Sequence, residues 1–246
     1  MIITLSCRRH ETVAIGSQAK GMRLLLADED NDFAAFISRG LTRHDHDIRV
    51  AANGRDALLM ASDDDFAAVI LERHLPLVDG LAVLRDLRGQ GKSAPIIFLT
   101  SIGDPATKIE AFDAGADDYI IKPVAIGELD ARLRAIARRP SGLISSGLLR
   151  TSTIEVDLFR QSVKRGGRAI PLPLLEFRIL VELLQNVDKV LTRQRLLKNV
   201  WGYDEEPGTN IVASHIARIR AKLNVDDHVD AIRTVHGAGY VIHGDV

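Results

Sequence analysis

The chain has 246 residues, 46% of them hydrophobic and 26% charged, which is enough for one large or two modest domains. No apolar run reaches the ~18 residues that a membrane-spanning helix needs. The single cysteine, Cys7, cannot form an intramolecular disulfide, and no Cys/His cluster has metal-ligand spacing. We therefore expect a two-domain cytoplasmic protein without structural zinc or membrane association.

Residues 1–21 lack the uninterrupted apolar segment of a secretory signal, since Arg8, Arg9, His10 and Glu11 interrupt them. Met22 stands directly before the first strand pattern, "RLLLA". We expect residues 1–21 to be a disordered extension or to follow from a start codon assigned too far upstream.

Residues 22–139 alternate short apolar runs with helical patterns, which favours a parallel sheet covered by helices on both faces. The five runs are "LLLA", "IRVAA", "AAVIL", "PIIFLT" and "YIIK". The helices are expected at Asp32–Thr42, Arg55–Ser62, Gly80–Arg88, Asp104–Ala114 and Ile126–Arg139.

Polar side chains follow four of these five runs. Each one alone could be a helix cap or a strand terminator. As a set they should meet in one crevice, because ligands of open parallel sheets bind outside the carboxyl ends of the strands. Clustered carboxylates need a compensating cation, so a Mg²⁺ site that handles a phosphoryl group is the natural inference. The side chains are Asp28, Glu29, Asp30, Glu72, Thr100, Ser101 and Lys122.

The motifs "DED", "LP..DG", "LTS" and "GADDYIIKP" resemble those of bacterial response-regulator receiver domains over Arg23 to Arg139. This resemblance implies a flavodoxin-like fold. It also implies that Asp28 and Glu29 are the metal-holding pair, that Thr100 and Tyr119 are switch residues, and that Lys122 contacts the phosphoryl group.

One position departs from the family pattern in a way that affects chemistry. The phosphoacceptor is an aspartate in that family, whereas this chain has Glu72, and Glu29 also replaces the usual aspartate. A displacement of about an ångström can cost a hundredfold in an in-line transfer, and Mg²⁺ tolerates distorted geometry poorly. Either Glu72 is phosphorylated inefficiently, or it is never phosphorylated and imitates the modified aspartate. We favour the second alternative, in which the protein does not require Mg²⁺. If Mg²⁺ does bind, the expected ligands are Asp28, Glu29 and Glu72.

In the resembled subfamily, the face formed by the fourth helix, fifth strand and fifth helix pairs two receivers. A merely solvated charged face is the alternative. The candidate dimer residues are Lys108, Asp117, Asp118, Glu128 and Arg132.

The pattern changes after a linker at 140–147, "PSGLISSG". Residues 22–139 carry more acidic than basic side chains, and residues 148–246 the reverse. Short strand patterns precede three helices, at Pro173–Gln185, Arg193–Val200 and about Thr209–Leu223, and a strand pair turns around "GAG". This order predicts an α+β winged helix-turn-helix domain over residues 148–246.

The third of these helices has two faces at 100° per residue. Val212, Ile216, Ile219 and Leu223 share one side, with His215 beside them as a packing residue. The opposite face carries no acid and has basic flanks, as a helix that enters the major groove requires. Its residues are Asn210, Ser214, Ala217, Arg218 and Ala221, flanked by Arg220 and Lys222.

Four blocks, "LLEFRILVELLQN", "VLTRQRLLKNVWG", "NIVASHIARIRAKL" and "IRTVHGAGYVI", resemble the OmpR/PhoB-type effector domain over Leu148 to Ile242. The resemblance implies a dimer on direct-repeat promoter DNA, a recognition helix at Asn210–Leu223, a wing turning at Gly237–Gly239, and a loop at Trp201–Gly208 where such proteins meet RNA polymerase. His236 stands where the wing often has arginine, so its DNA contact is expected to be weaker or pH-dependent.

The sequence therefore predicts a DNA-binding transcription regulator of the two-component type, active without phosphorylation, and not an enzyme. Whether a histidine kinase acts on it is left open. The alternatives are a metal-dependent phosphoryl-handling enzyme, for which no substrate groups are visible, and an architectural DNA-binding protein.

Overall fold

A computed structural model of the chain describes residues 21–137, 147–203, 210–224 and 230–245. The expectations for residues 1–20, for 140–146 of the linker and for 204–208 of the polymerase loop lie outside the described residues.

The first domain is an α/β sandwich with a five-stranded parallel sheet in the order β2-β1-β3-β4-β5. The fold class predicted from the alternating pattern is confirmed, and each strand lies within one residue of its predicted start. The elements are β1 (Arg23–Ala27), α1 (Asn31–Thr42), β2 (Asp47–Ala51), α2 (Gly54–Asp63), β3 (Ala68–Leu71), α3 (Gly80–Gly89), β4 (Ile96–Thr100), α4 (Pro105–Ala114), β5 (Asp118–Ile121) and α5 (Ile126–Ala137).

Side-chain caps set where these helices begin. Asp30, Asn53, Asp79 and Asp104 each accept a backbone N–H from the first turn of the following helix, which satisfies donors that have no intrahelical partner. Asp79 of the "DG" turn is therefore the cap of α3.

The second domain contains a four-stranded antiparallel sheet, three helices and a hairpin. The winged-helix prediction is confirmed, with the hairpin turning at Gly237–Gly239. The elements are β6 (Leu148–Arg150), β7 (Ile154–Asp157), β8 (Ser162–Arg165), β9 (Arg168–Ile170), α6 (Leu174–Leu184), α7 (Arg193–Leu196), α8 (Ile211–Leu223), β10 (Ile232–Val235) and β11 (Gly239–Ile242).

The helix predicted at Arg193–Val200 is two pieces. Thr192 caps α7 as expected, by accepting the N–H of Arg195, but Leu197–Trp201 continue as a π-helical turn. The wider turn belongs to a segment whose Leu197, Val200 and Trp201 are all buried, so packing overrides the regular helical period.

The two domains are packed against each other. Helix α4 contacts α8, and α5 contacts the π-helical turn. Arg178 of α6 donates to the carbonyls of Ala135 (2.7 Å) and Ile136 (3.0 Å) in the last turn of α5. Helix α8, the predicted recognition helix, therefore lies against the receiver surface that was predicted to form the dimer.

Candidate functional site

The carboxyl ends of the receiver strands bring three predicted residues together. The Nζ atom of Lys122 lies 2.6 Å from Oδ2 of Asp28 and 2.8 Å from Oε2 of Glu72. It also lies 4.1 Å from the centroid of the Phe33 ring, which adds a cation–π contact. Burial opposes the charge on Lys122, but its hydrogen bonds to Asp28 and Glu72 outweigh burial and raise the pKa of the ammonium. The three groups form a closed ionic cluster.

Both oxygens of Glu72 are engaged. While Oε2 faces Lys122, Oε1 accepts the backbone N–H of Arg73 at 2.6 Å. The turn that follows is held close, since a Cβ on Gly80 would lie 2.2 Å from the carbonyl oxygen of Glu72. The Glu72 side chain, 7% exposed, therefore has a fixed direction.

The predicted metal-holding pair is not brought together. Asp28 is buried, with Oδ1 accepting the N–H of Asp30, whereas Glu29 is exposed. Within the described ranges, no group of three His, Cys, Asp or Glu side chains is arranged to hold a metal ion. Because Lys122 occupies one oxygen of each buried carboxylate and Glu29 lies exposed outside the cluster, this arrangement does not fit a three-carboxylate Mg²⁺ site.

The predicted switch residues both hydrogen-bond to the backbone of Ile102. Thr100 is fully buried, with Oγ1 accepting the N–H of Ile102, and the Tyr119 hydroxyl donates to the Ile102 carbonyl at 2.9 Å. Burial, with a smaller contribution from Asp104, raises the pKa of the Tyr119 phenol to about 12. The Tyr119 ring packs edge-on against Phe112 of α4, at 6.4 Å between centroids. Tyr119 therefore connects the crevice side of the sheet to α4.

Helix α8 has the two faces that the wheel predicted. Val212, Ile216, Ile219 and Leu223 are buried, while Asn210, Ala217 and Ala221 are exposed. The basic residues of α8 are paired with other groups of the protein. Arg218 and Lys222 both bind Glu176 of α6, at 2.8 Å and 2.6 Å.

Arg220 is bound within its own domain. Its Nε and one terminal nitrogen donate to the carbonyl of Ile232 in β10, at 2.8 and 2.6 Å, and the same terminal nitrogen donates to Thr234 Oγ1. Arg220 thus joins α8 to the wing. His236 is exposed at the wing turn, where a contact with DNA was predicted.

The receiver covers one side of the α8 face that was predicted to read DNA, here called the reading face (Asn210, Ser214, Ala217, Arg218 and Ala221). Ser214 Oγ lies 3.0 Å from Asp113 Oδ1, and Arg218 donates to the carbonyl of Phe112. Asp113 and that carbonyl belong to the last turn of α4, the negative end of its dipole. Acceptors on α4 therefore occupy donors on α8 that were expected to face DNA.

The predicted dimer residues Asp117 and Asp118 are not exposed, since only 1% and 2% of them is accessible. The carboxylate of Asp117 pairs with Arg88 inside the receiver at 2.6 Å, whereas that of Asp118 is met by the second domain. The hydroxyl of Tyr203 donates to Asp118, and Arg132 lies 4.5 Å from the Tyr203 ring centroid. Burial raises the pKa of Asp118, and Tyr203 and Arg132 offset this only in part. Glu128 is exposed and pairs with Arg132 at 2.7 Å, and Lys108 is partly exposed.

His215 lies in the same interface. Its Nδ1 donates to the Ile211 carbonyl at 2.9 Å, while the fully buried Nε2 has no hydrogen-bond partner and lies 3.9 Å from Asp117 Oδ1. His215 is therefore a buried packing residue, as predicted, with a hydrogen bond at one ring nitrogen only. Burial, and then the charge of Arg218, lower the pKa of His215, although Asp117 acts in the opposite sense.

Three functional residues were missed by the sequence analysis. Glu176 stands inside the apolar run "LLEFRILVELL", where one acid among leucines is the only signal of a buried partner. Asp113 looks like any solvated helix residue. Tyr203 was considered only as part of the polymerase loop.

The comparisons with known proteins agree with this geometry. Residues 24–134 match the response regulator receiver domain, and residues 167–242 match the C-terminal domain of transcriptional regulatory proteins. The response regulator MprA of Mycobacterium tuberculosis is 37% identical over 223 residues, which cover 90% of this chain and 97% of that protein. The chain is a response regulator of the OmpR/PhoB type.

Solved structures support the same assignment. Two mutants of RitR superpose with TM-scores of 0.72 and 0.73, at 30% and 29% identity, over 91% of this chain and 99% of each of theirs. Among the sequence relatives, the response regulator MprA of Mycobacterium avium is likewise 37% identical, over 90% of this chain. No helix in the described parts of the chain has the length and apolarity to cross a membrane. The protein is thus a DNA-binding transcription regulator with two family domains.

Proposed function

We propose that this response regulator controls transcription without phosphoryl transfer to residue 72, and that its two domains regulate DNA binding by masking each other. The observation that carries the first part is the Lys122 bridge between Asp28 and Glu72.

The engaged carboxylate argues against an acceptor role. Phosphoryl transfer needs a carboxylate oxygen free to attack phosphorus in line, with cations around the transferred group. Oε1 of Glu72 is bound to a backbone N–H and Oε2 to Lys122. Attack would have to use the remaining lone pair of an oxygen that already accepts a charge-assisted hydrogen bond, the strong class, which withdraws electron density from the nucleophile. Glu72 instead holds a permanent negative charge against Lys122, where a modified aspartate would place one.

The second part rests on α8. A helix that reads bases is enclosed by the walls of a major groove about 12 Å wide. Helix α4 touches α8 through Ser214 and Arg218, so a duplex cannot enclose α8 until the domains separate. Separation frees the face that carries Asn210, Ser214, Ala217 and Arg218, with Lys222 at its edge and His236 in the wing.

Domain separation also exposes the predicted dimer face. Asp118 and Arg132 are paired with Tyr203 in the closed arrangement, so they become available to a second copy only when the domains part. We propose a dimer on direct-repeat promoter DNA, in which Lys108, Asp117 and Glu128 join this face. The same opening uncovers Trp201 and Tyr203 at the start of the segment proposed to meet RNA polymerase.

Intact mass tests the phosphorylation proposal. The purified protein is incubated with acetyl phosphate and Mg²⁺, beside Glu72→Asp, which restores the acceptor of the family. We expect no adduct on the wild-type chain. An adduct on it that Glu72→Gln abolishes would refute the proposal, and an adduct on Glu72→Asp alone would trace the difference to one methylene group.

Genome-wide mapping of binding sites, with the wild type and Glu72→Ala, tests regulation. Discrete sites are expected for the wild type, because a sequence-specific regulator discriminates strongly against random DNA. Diffuse binding would contradict it. If the charge on Glu72 sustains activity, occupancy of the discrete sites falls in Glu72→Ala.

A further inference from the structure

We propose that Glu176 is a positioning residue for base reading, because it aims the guanidinium of Arg218 and restrains Lys222. The inference rests on the proposed reading role of α8 and extends it to a residue outside the recognition helix. It states that an acid within the DNA-binding domain raises sequence specificity at the expense of affinity for DNA in general.

Glu176 binds two basic side chains of α8 at once, and this arrangement with Arg218 and Lys222 is here called the clamp. The residue is 1% exposed and lies in the first turn of α6. Its Oε1 accepts the Nε–H of Arg218 at 2.8 Å, and its Oε2 accepts from Nζ of Lys222 at 2.6 Å. Both contacts join α6 to α8 inside one domain, so they persist when the receiver moves away.

The clamp fixes which edge of Arg218 faces outward. A guanidinium is planar and carries its donors in a rigid fork. With Nε held by Glu176, the two terminal nitrogens are the donors left for another partner, and guanine presents two acceptors, O6 and N7, to such a fork. The rotamer freedom that a free arginine would lose on binding is already lost, which favours the correct contact.

The contact between Arg218 and the receiver indicates which kind of acceptor the terminal nitrogens of the guanidinium bind. A terminal nitrogen of Arg218 donates to the Phe112 carbonyl, an acceptor of the same chemical kind as guanine O6. In the closed arrangement, this carbonyl therefore stands in for a base edge. The occupied donor is one that Glu176 leaves free.

The charge on Glu176 has an opposite effect on DNA of any sequence. Affinity for random duplex comes mainly from cations near phosphates. Glu176 is paired with both Arg218 and Lys222, so it reduces their attraction for phosphates. Its removal should therefore strengthen random binding while weakening base reading.

Fluorescence anisotropy on the full chain tests this, with a duplex that carries a mapped site and a random duplex of equal length. We expect Glu176→Gln to lower the ratio of specific to random affinity about tenfold, within the discrimination that one bidentate arginine supplies. Affinity for the random duplex should rise. The ratio cancels the cost of separating the domains, because both duplexes require the open protein.

A double-mutant cycle separates positioning from a general structural effect. If Glu176 acts through Arg218, Glu176→Gln should not change the ratio further in an Arg218→Ala background. A ratio that stays at the wild-type value in Glu176→Gln, or falls equally in both backgrounds, overturns the inference. If Glu176→Gln does not fold, Glu176→Asp, which keeps the charge but reaches less far, replaces it with the same expectation for the ratio. A wild-type protein that shows no preference for any mapped site would instead refute the proposed function.

Discussion

Removal of one hydroxyl group should open the closed arrangement. Tyr203→Phe deletes the hydrogen bond to Asp118 and keeps the aromatic ring under Arg132. The acceptor carboxylate is 3% exposed and remains buried without that donor. The substitution therefore acts on the closed state and leaves α8 itself unchanged.

The magnitude follows from the kind of bond. A hydrogen bond to a charged group contributes ~1.5 to 3 kcal/mol, and the low end applies because Tyr203 is partly exposed. A destabilisation of about 1.5 kcal/mol shifts the equilibrium between the closed and open states about tenfold. Apparent DNA affinity is proportional to the fraction of binding-competent protein, so it should rise by up to about tenfold.

Two measurements check this prediction. Fluorescence anisotropy reports affinity for a mapped site, and small-angle X-ray scattering reports the radius of gyration, which should increase in Tyr203→Phe. The matched control is Ser62→Ala, which also loses a hydroxyl bond, but to Gln90 inside the receiver. Its affinity and radius should equal those of the wild type. A Tyr203→Phe protein as compact as the wild type, with unchanged affinity, would refute the mutual masking of the domains.

Three further predictions concern the crevice, the reading face and the interface. Gly80→Ala should lower the free energy of unfolding by ~1 to 3 kcal/mol in urea titrations, because its Cβ would lie 2.2 Å from a backbone carbonyl oxygen; unchanged stability would contradict this. Arg218→Ala should lower the ratio of specific to random affinity by the equivalent of ~1 to 3 kcal/mol, whereas Lys222→Ala should weaken binding to all sequences and leave that ratio unchanged in anisotropy titrations. Because burial lowers the pKa of His215 below its usual 6.5, its contribution to the closed state is complete above that value and is lost as the pH falls through the lowered pKa. Scattering at about pH 7.5 and 5.5 should show a larger expansion for the wild type than for His215→Gln; equal expansion would exclude His215 as the cause.

The crevice could be predicted because it follows from topology. Parallel strands end at one edge of the sheet, so Asp28, Glu72 and Lys122 had to converge once their strands were recognised. The exposed position of Glu29 could not be predicted, since the backbone turn after β1 decides which of two adjacent acids faces the sheet. The pairing of Lys122 with both carboxylates also required coordinates.

The recognition helix was predictable for a similar reason. The helical period places Val212 and Ile216 on one side and Ala217 and Ala221 on the other, and burial agrees. The ion pairs of the basic residues were not predictable, because the acid that binds Arg218 lies 42 positions away in a different helix. A wheel shows which side a residue faces and not what it meets there.

The domain interface is the largest feature that the sequence did not indicate. Its contacts join residues about 100 positions apart, such as Asp113 to Ser214, and each of these resembles an ordinary surface residue. Sequence pattern assigned Asp117 and Asp118 to a dimer face by resemblance, whereas they are buried inside one chain. The same residues can contact the second domain of the same chain or a second copy of the chain. Their sequence is identical in both cases, so it does not indicate which of the two partners is bound.

This double use has a consequence if, as proposed, residue 72 accepts no phosphoryl group. Tyr203 holds Asp118 while α4 holds Arg218, so one domain movement releases both the dimer face and the reading face. DNA binding and dimerisation then each draw on the same open population, and each makes the other more favourable without any change at Glu72. The concentration of the protein and of its sites can thus set the switch, with the Lys122 cluster as a fixed part of the receiver. A steeper dependence of DNA occupancy on protein concentration for the wild type than for Tyr203→Phe would be the measurable sign of this coupling, because the variant is already partly open.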